Sequence, residues 1–493
     1  MPSPISLYTA EQVKQGEVAA AKAKSIPMYE LMTRAGQAVF DVMMNQYPEC
    51  QKVLIVCGGG NNGGDGYVIG KLALEAGLQV TLWQVVEETK LKGDALTAYQ
   101  DYCAAGGDTN EPGLSFDLDY DCIVDALFGT GLSGSVRPDG VSLINRLNRV
   151  NAPIVAVDLP SGLSSNSGQV LGACVKADHT VSFIGLKQGL FTGQARDYTG
   201  DIHFNGLGVE DIFEQQNTPS ALLLNNLSDY EPFLPRLKAS HKGTHGKAVI
   251  IGGNRGMGGA ALLSAQACLR SGSGLTALLT HPENTLASLV VCPEVMASSW
   301  EESLVNEQRL EHWCDCIAIG PGLGTDASAQ KMFHSVSQQQ LPKVYDADAL
   351  NLLVNHVHKD AQRILTPHPG EAARLLNCSV SEIESERFLA VKRLQQKYGG
   401  VVVLKGAGTL IYDGQQTYVC NAGNPGMATG GMGDVLTGVI LGLLAQGESL
   451  TSSAVKGVMV HSLAADMDAE KNGERGLCAS DLLPHIRHLV NGK

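Results

Sequence analysis

The stretch Val53–Gly70, "VLIVCGGGNNGGDGYVIG", decides the fold. An apolar, β-branched run of strand length ends in glycines and leads into a second apolar segment, so it reads as a strand, a tight turn and the opening of a helix. Gly58, Gly60 and Gly63 satisfy G-x-G-x-x-G, and Glu87 or Glu88 follows about two dozen residues later, as a dinucleotide fingerprint asks. The residues between the glycines argue against that use. A pyrophosphate wants small, unobtrusive neighbours, whereas Asn61, Asn62 and Asp65 crowd this turn, and a carboxylate there repels phosphate unless a cation intervenes.

Moving outward, apolar residues recur at helical spacing from Met28 to Val42, so an amphipathic helix precedes the strand. Strand-like runs at Val53–Val56, Val80–Trp83, Cys122–Val124, Ile154–Val157 and Thr180–Phe183 then alternate with helical ones. This is the βαβ rhythm of a parallel sheet covered on both faces. It pauses in a polar, proline-containing stretch without clear period, which places a domain junction at about Glu214 to Asn226. The rhythm resumes at "KAVIIGGNRGMGGAALLSAQACLRSGSGLTALLT", again strand, glycine loop, helix and strand. The two halves share a βαβ unit and no sustained identity that would argue for duplication.

At 493 residues with 44% hydrophobic content, two domains are expected, and 57 glycines against 5% aromatics fit many tight βα turns. A formal net charge of -14 excludes a broad nucleic-acid footprint. Twelve cysteines without CxxC pairs suit reduced, mostly buried thiols. The N-terminus lacks a basic segment followed by an apolar one, and the longest lipid-like run, near Val435–Ala445, is too short to span a bilayer. A cytoplasmic homo-oligomer with no membrane partner is expected.

Ligands of open α/β sheets bind beyond the carboxyl ends of the strands. Three features fall there: Asn61–Asp65, Asp125 with the turn "ALFGTGLSGS" behind it, and "VDLPSGL" with Asp158 and Ser161. Singly, each is explained as a turn residue or helix cap. Together at one rim, Asn62, Asp125 and Ser161 offer hard oxygens suited to an alkali or alkaline-earth cation. These three ordered motifs, over roughly Ser6 to Val209, resemble the N-terminal domain of the YjeF family, the NAD(P)H-hydrate epimerases. The resemblance implies that Asn61, Asn62, Gly63, Gly64 and Asp65, with Gly129, Thr130, Gly131, Leu132, Ser133, Gly134 and Ser135, line the hydrate site. It also implies that Asn62, Asp125 and Ser161 hold potassium and that Asp158 contacts substrate. As the best-placed strand-end carboxylate, Asp158 is the expected acid/base for inverting C6 of the hydrated ring.

In the second half, "NPGMATGGMGDVLTGVILGLLAQG" leads from glycines into an apolar helix, with Gly438 and Gly442 permitting a close helix neighbour. Gly430, Gly431 and Gly433 leave N–H groups bare at its N-terminus, where a phosphate in transfer fits. Asp434 stands where it can accept a proton from an attacking hydroxyl, and the bland alternative is an N-cap. Lys405–Thr409 form a glycine turn able to hold an adenylate, and "ILTPHPGEAARLL" supplies His368 and Glu371 as contacts for substrate and for magnesium-bound water. His461 is read as packing.

With "AIGPGLG", "DADALN", "TPHPGEAARLL", "VLKGAGT" and "GNPGMATGGMGDVLTG" in order over about Leu227 to Val490, this half resembles the ribokinase-like ADP- or ATP-dependent NAD(P)H-hydrate dehydratases of the same family. The resemblance places hydrate near Ala260, Gly322, His368 and Asp434, and adenylate at Lys405, Gly406, Ala407, Gly408, Thr409 and Gly433. It implies a Rossmann-like three-layer αβα domain over residues 1–218 and a ribokinase-like αβα domain over 226–493. Together the halves imply epimerisation of hydrated NADH and NADPH, then dehydration of the S epimer with magnesium and ADP, releasing AMP and phosphate. The tandem form implies ADP, although no residue enforces it over ATP. The alternative is a small-molecule kinase fused to a non-catalytic ligand-binding domain.

Overall fold

The computed structural model describes residues 4–112, 119–132, 134–301 and 308–492. The chain divides into two compact units, one built from Ser6–Ala221 and the other chiefly from Leu222–Lys493.

In the first unit the deciding stretch is strand Lys52–Cys57 running into helix Asn61–Glu75. Seven parallel strands stand in the order Thr109–Asn110, Gln79–Gln84, Lys52–Cys57, Cys122–Ala126, Ile154–Val157, His179–Phe183, Asp201–Asn205. Strand residues alternate between two cores: Val53, Ile55 and Cys57 pack on one face, Leu54 and Val56 on the other. Both faces are therefore dry, as the uninterrupted apolar run requires. The chain order reverses between Lys52–Cys57 and Cys122–Ala126, which opens a crevice at their carboxyl ends.

The glycines of the apparent fingerprint serve that crevice's walls. A Cβ on Gly58 would sit 1.9 Å from the Leu127 carbonyl oxygen, and one on Gly63 would sit 2.0 Å from the Gly58 oxygen, while Gly60 faces open space. Two of the three spaced glycines are thus there to let backbones touch.

In the second unit ten strands run in the order Met296–Ser299, Leu275–Thr280, Lys247–Ile251, Cys316–Ile319, Lys343–Tyr345, Arg363–Leu365, Val401–Leu404, Thr409–Tyr412, Thr417–Cys420, Ala221–Leu224. The first seven are parallel, and the hairpins Val401–Tyr412 and Thr409–Cys420 are antiparallel. Here the switch point lies between Lys247–Ile251 and Cys316–Ile319. Helix Met432–Ala445 is buried over nearly its whole length against helix Gly258–Arg270. Cβ atoms on Gly438 and Gly442 would come 2.1 Å and 2.6 Å from the Ser264 and Cys268 carbonyl oxygens, so these are the close-approach glycines expected.

Three elements depart from the sequence reading. Helix Ala10–Ala23 opens the first unit on a Thr9–Gln12 capping box. The stretch read as period-free holds helix Glu210–Gln216 and strand Ala221–Leu224, each too short to display a period. All twelve cysteines are free thiols, most of them buried. Among the described residues no helix is long and apolar enough to cross a membrane.

Candidate functional site

At the first switch point, Asp125 is fully buried next to last in its strand, accepting the Ser161 N–H at 2.7 Å and the Ser161 hydroxyl at 2.6 Å. The Ser161 oxygen in turn accepts the Phe128 N–H at 2.8 Å. Asn62 lies against the next residue of that turn, for a Cβ on Gly129 would come 2.9 Å from its Oδ1, and its Nδ2 is buried without a hydrogen-bond partner among the described residues. The three oxygen-bearing residues thus line the turn Leu127–Gly129. Burial pushes the Asp125 carboxyl up to about 6, against hydrogen bonds from Ser161 and Leu127. Among the described residues no basic side chain pairs with it. Farther along the turn, Thr130 and Leu132 are half-buried, Gly131, Gly134 and Ser135 are exposed, and Ser133 lies outside the described residues.

Asp158 follows strand Ile154–Val157 at φ 67°, a left-handed conformation that costs a non-glycine residue on the order of 1–3 kcal/mol. Its carboxylate is paired with the buried ammonium of Lys187, which ends the short strand Leu186–Lys187 alongside Ile5–Tyr8. Asp65, 9% exposed behind Gly63 and Gly64, has its carboxyl pushed well above the usual range by burial and by Asp158 and Glu17, with Lys187 opposing. Glu17, from helix Ala10–Ala23, is pushed up to about 7, mainly by burial. Asn61 is exposed at the helix start. Glu17 and Lys187 were missed in the sequence. A lysine inside the buried run "VSFIGLKQGLF" was the available signal, since lysine is almost never buried unpaired.

The second site centres on a residue that the sequence reading quoted but gave no role. Asp346, 1% exposed just past strand Lys343–Tyr345, accepts Lys405 Nζ at 2.8 Å, Thr366 Oγ1 at 2.9 Å and Thr437 Oγ1 at 2.9 Å. Lys405 also approaches Glu371 at 3.8 Å. Burial works to lower the Lys405 ammonium, but Asp346 and Glu371 outweigh it and raise it. Glu371 accepts the His368 N–H at 2.8 Å within a capping box, and burial raises its carboxyl while lowering the His368 ring.

Asp434 stands in the first turn of helix Met432–Ala445, whose N-cap is Gly431 in the left-handed region, so it is not the cap. Burial pushes its carboxyl up to about 7, with Asp346, Asp348 and Glu371 adding to the rise and Lys405 opposing it. A Cβ on Gly433 would lie 3.3 Å from Lys405 Nζ, which leaves the helix start open beside the ammonium. Ala260 and Gly322 are neighbours, a Gly322 Cβ coming 3.3 Å from that of Ala260. They join Asp434 through Ser264, one turn beyond Ala260, which donates to the Asp434 carbonyl at 2.7 Å. Gly406–Thr409 turn between two strands, closed by Thr409 Oγ1 on the Gly406 oxygen at 2.9 Å. His461 is buried with Nε2 unpartnered among the described residues, and burial holds its ring down at about 4.

A family model described as NAD(P)H-hydrate dehydratase matches residues 248–488, and one described as YjeF-related protein N-terminus matches residues 28–189. The bifunctional NAD(P)H-hydrate repair enzyme Nnr of Vibrio cholerae is 54% identical over 491 residues, covering 100% of this chain and 99% of its own. That of Escherichia coli is 44% identical over 490 residues, covering 99% and 94%. Among solved structures, a ribokinase-like superfamily protein from Enterococcus faecalis aligns with a TM-score of 0.50 at 33% identity, over 53% of this chain and 92% of that one.

Proposed function

The chain belongs to the bifunctional NAD(P)H-hydrate repair enzymes, and on that premise we propose which of its parts carry each half of the repair. The protein joins an NAD(P)H-hydrate epimerase to an NAD(P)H-hydrate dehydratase. We assign epimerisation to residues 1–218 and dehydration to residues 226–493.

In the epimerase, Asp158 exchanges the proton that loosens and remakes the C6 substituents, with the hydrate lying along Asn61–Asp65 and Gly129–Ser135. Supporting this is its position at the switch-point rim, where its side chain keeps 13% exposure. Asn62, Asp125 and Ser161 would hold potassium. An all-oxygen set around a fully buried carboxylate without a cationic partner fits a monovalent ion. When bound, that ion supplies the positive charge that lets substrate phosphates approach an acidic rim.

In the dehydratase, Asp434 takes the proton of the C6 hydroxyl as that oxygen attacks the terminal phosphate of ADP, and the phosphorus–oxygen bond to AMP breaks. The ring-nitrogen lone pair then expels phosphate from C6. Loss of a C5 proton restores the double bond of NADH or NADPH. The observation that carries this reading is a carboxyl near 7 at the open N-terminus of a helix, poised for transfer near neutral pH. Lys405–Thr409 and Gly433 take the adenylate, and Ala260, Gly322 and His368 take the hydrate. Among the described residues no three His, Cys, Asp or Glu side chains are arranged to hold a metal alone. The acid excess around Lys405 fits magnesium arriving on nucleotide phosphates, which needs only one or two protein carboxylates. A cytoplasmic homo-oligomer completes the proposal.

The test is to incubate mixed-epimer hydrated NADH with ADP or ATP, with and without potassium, and follow NADH absorbance. Full recovery supports both assignments. A halt once the S epimer is consumed would leave the first unit without activity, and a stable phosphorylated hydrate would favour a simple kinase.

A further inference from the structure

The epimerase reading accounts for Asp158 but not for the ammonium beneath it. Lys187 is 1% exposed on its side chain, whereas Asp158 keeps 13%. All three N–H bonds of the ammonium have acceptors: Asp158 Oδ1, the Ser182 oxygen at 3.3 Å and the Phe183 carbonyl at 3.0 Å. Ser182 also donates to Asp158 Oδ1 at 3.4 Å. A group so enclosed does not meet a substrate.

The geometry points to Lys187 as a positioning residue of the epimerase: from beneath the rim it fixes the Asp158 carboxylate in its left-handed backbone and supplies the counter-charge under which that carboxylate exchanges protons. This rests on the assignment of Asp158 as the acid/base.

Two observations favour it over a bridge that merely holds the fold. A buried ion pair is often no more stable than an apolar pair of similar volume, so stability alone does not account for one placed under a strained residue at a ligand rim. The charges also do not balance: Glu17 from helix Ala10–Ala23 and Asp65 from helix Asn61–Glu75 face the same pair, giving three carboxyls to one buried ammonium. Lys14 is the only other base acting on Glu17 among the described residues. Among the described residues Lys187 is the one buried ammonium acting on all three, and its direct contact is with Asp158. Separating the charge states of neighbouring carboxyls is how a single site presents an acid and a base together.

The experiment uses the full chain without ADP or ATP, so that only epimerisation is read. R-enriched hydrated NADH is equilibrated across about pH 4–9 (from the ordinary carboxyl range through that of histidine), the epimers are separated chromatographically, and the uncatalysed rate is subtracted. Lys187→Met removes the counter-charge. The acid limb of kcat/KM should move up by about one pH unit or more, because a carboxylate without its cation takes up a proton at higher pH. Lys187→Arg keeps the charge but not the reach, so kcat should fall at least about tenfold with KM and the acid limb unchanged. A wild-type limb in Lys187→Met, or a uniform loss of rate without displacement of the limb, overturns the proposal. So does wild-type kcat in Lys187→Arg, which also decides the matter should the methionine variant not fold. If the unmodified protein itself fails to interconvert the epimers, it is the epimerase reading that fails.

Discussion

The two rims use one device in opposite orientations. Each has an aspartate one residue beyond a parallel strand, Asp158 and Asp346, with a left-handed non-glycine residue at or next to it, Asp158 itself at φ 67° and Ala347 at 47°. Each aspartate is paired with a lysine from another strand end, Lys187 or Lys405. In the first rim the lysine is 1% and the aspartate 13% exposed; in the second the lysine is 20% and the aspartate 2% exposed. The first rim thus leaves its anion the more exposed partner, which suits the proton exchange proposed for Asp158. The second rim leaves its cation the more exposed partner, which suits a polyphosphate, and the base proposed for it, Asp434, stands separately on helix Met432–Ala445.

The largest effect should come from removing that separate base. Asp434→Ala should cut nucleotide-dependent NADH recovery by about 10⁴-fold while leaving R/S equilibration intact. Substantial residual turnover would break the contrast. Asp158→Asn should slow R/S equilibration by about 10²-fold with dehydration of the S epimer unaffected; epimer ratios followed over time check this. Asp346→Ala leaves the Lys405 ammonium, among the described residues, with the 3.8 Å approach to Glu371 and removes the acceptor of the Thr366 and Thr437 hydroxyls, so the second unit should lose about 3 kcal/mol, read from denaturant midpoints.

A pH profile sharpens the comparison further. With the Asp434 carboxyl at about 7, its active, ionised form gains population as pH rises, so dehydratase kcat/KM should climb through neutrality and level off above it. Because the folded carboxyl binds its proton more tightly than an unfolded one, ionising it also costs stability as pH rises toward 7. The smallest effects belong to the glycines. Gly58→Ala should cost about 1–3 kcal/mol through collision with the Leu127 oxygen, whereas Gly60→Ala should stay within about 0.5 kcal/mol. Equal costs would return the loop to a ligand-binding explanation.

What the sequence showed and hid follows from how far apart the partners lie. Strand, turn and helix at Val53–Gly70 were legible because their period and their turn residues are local. The convergence of Asn62, Asp125 and Ser161 was legible because each lies at or beyond the carboxyl end of a strand, and strand ends in a parallel sheet share a rim. Lys187 and Asp346 were not, because their meaning depends on partners 29 and 59 residues away across the sheet. Helix Ala10–Ala23 escaped notice although its capping box was in plain view, since its alanine-rich surface carries little apolar period. The glycine spacing at Gly58, Gly60 and Gly63 imitates a dinucleotide fingerprint for a physical reason: close approach between backbones selects the same residue as close approach to pyrophosphate.

The contact of Gly438 and Gly442 with helix Gly258–Arg270 has a consequence for how the second unit breathes. With carbonyl oxygens 2.1 Å and 2.6 Å from where side chains would begin, the helix bearing Asp434 has no room to slide or fray independently. Its amide protons from Leu436 to Leu444 should therefore exchange with solvent deuterium only when the whole unit opens, making their exchange rates a direct gauge of that unit's global stability.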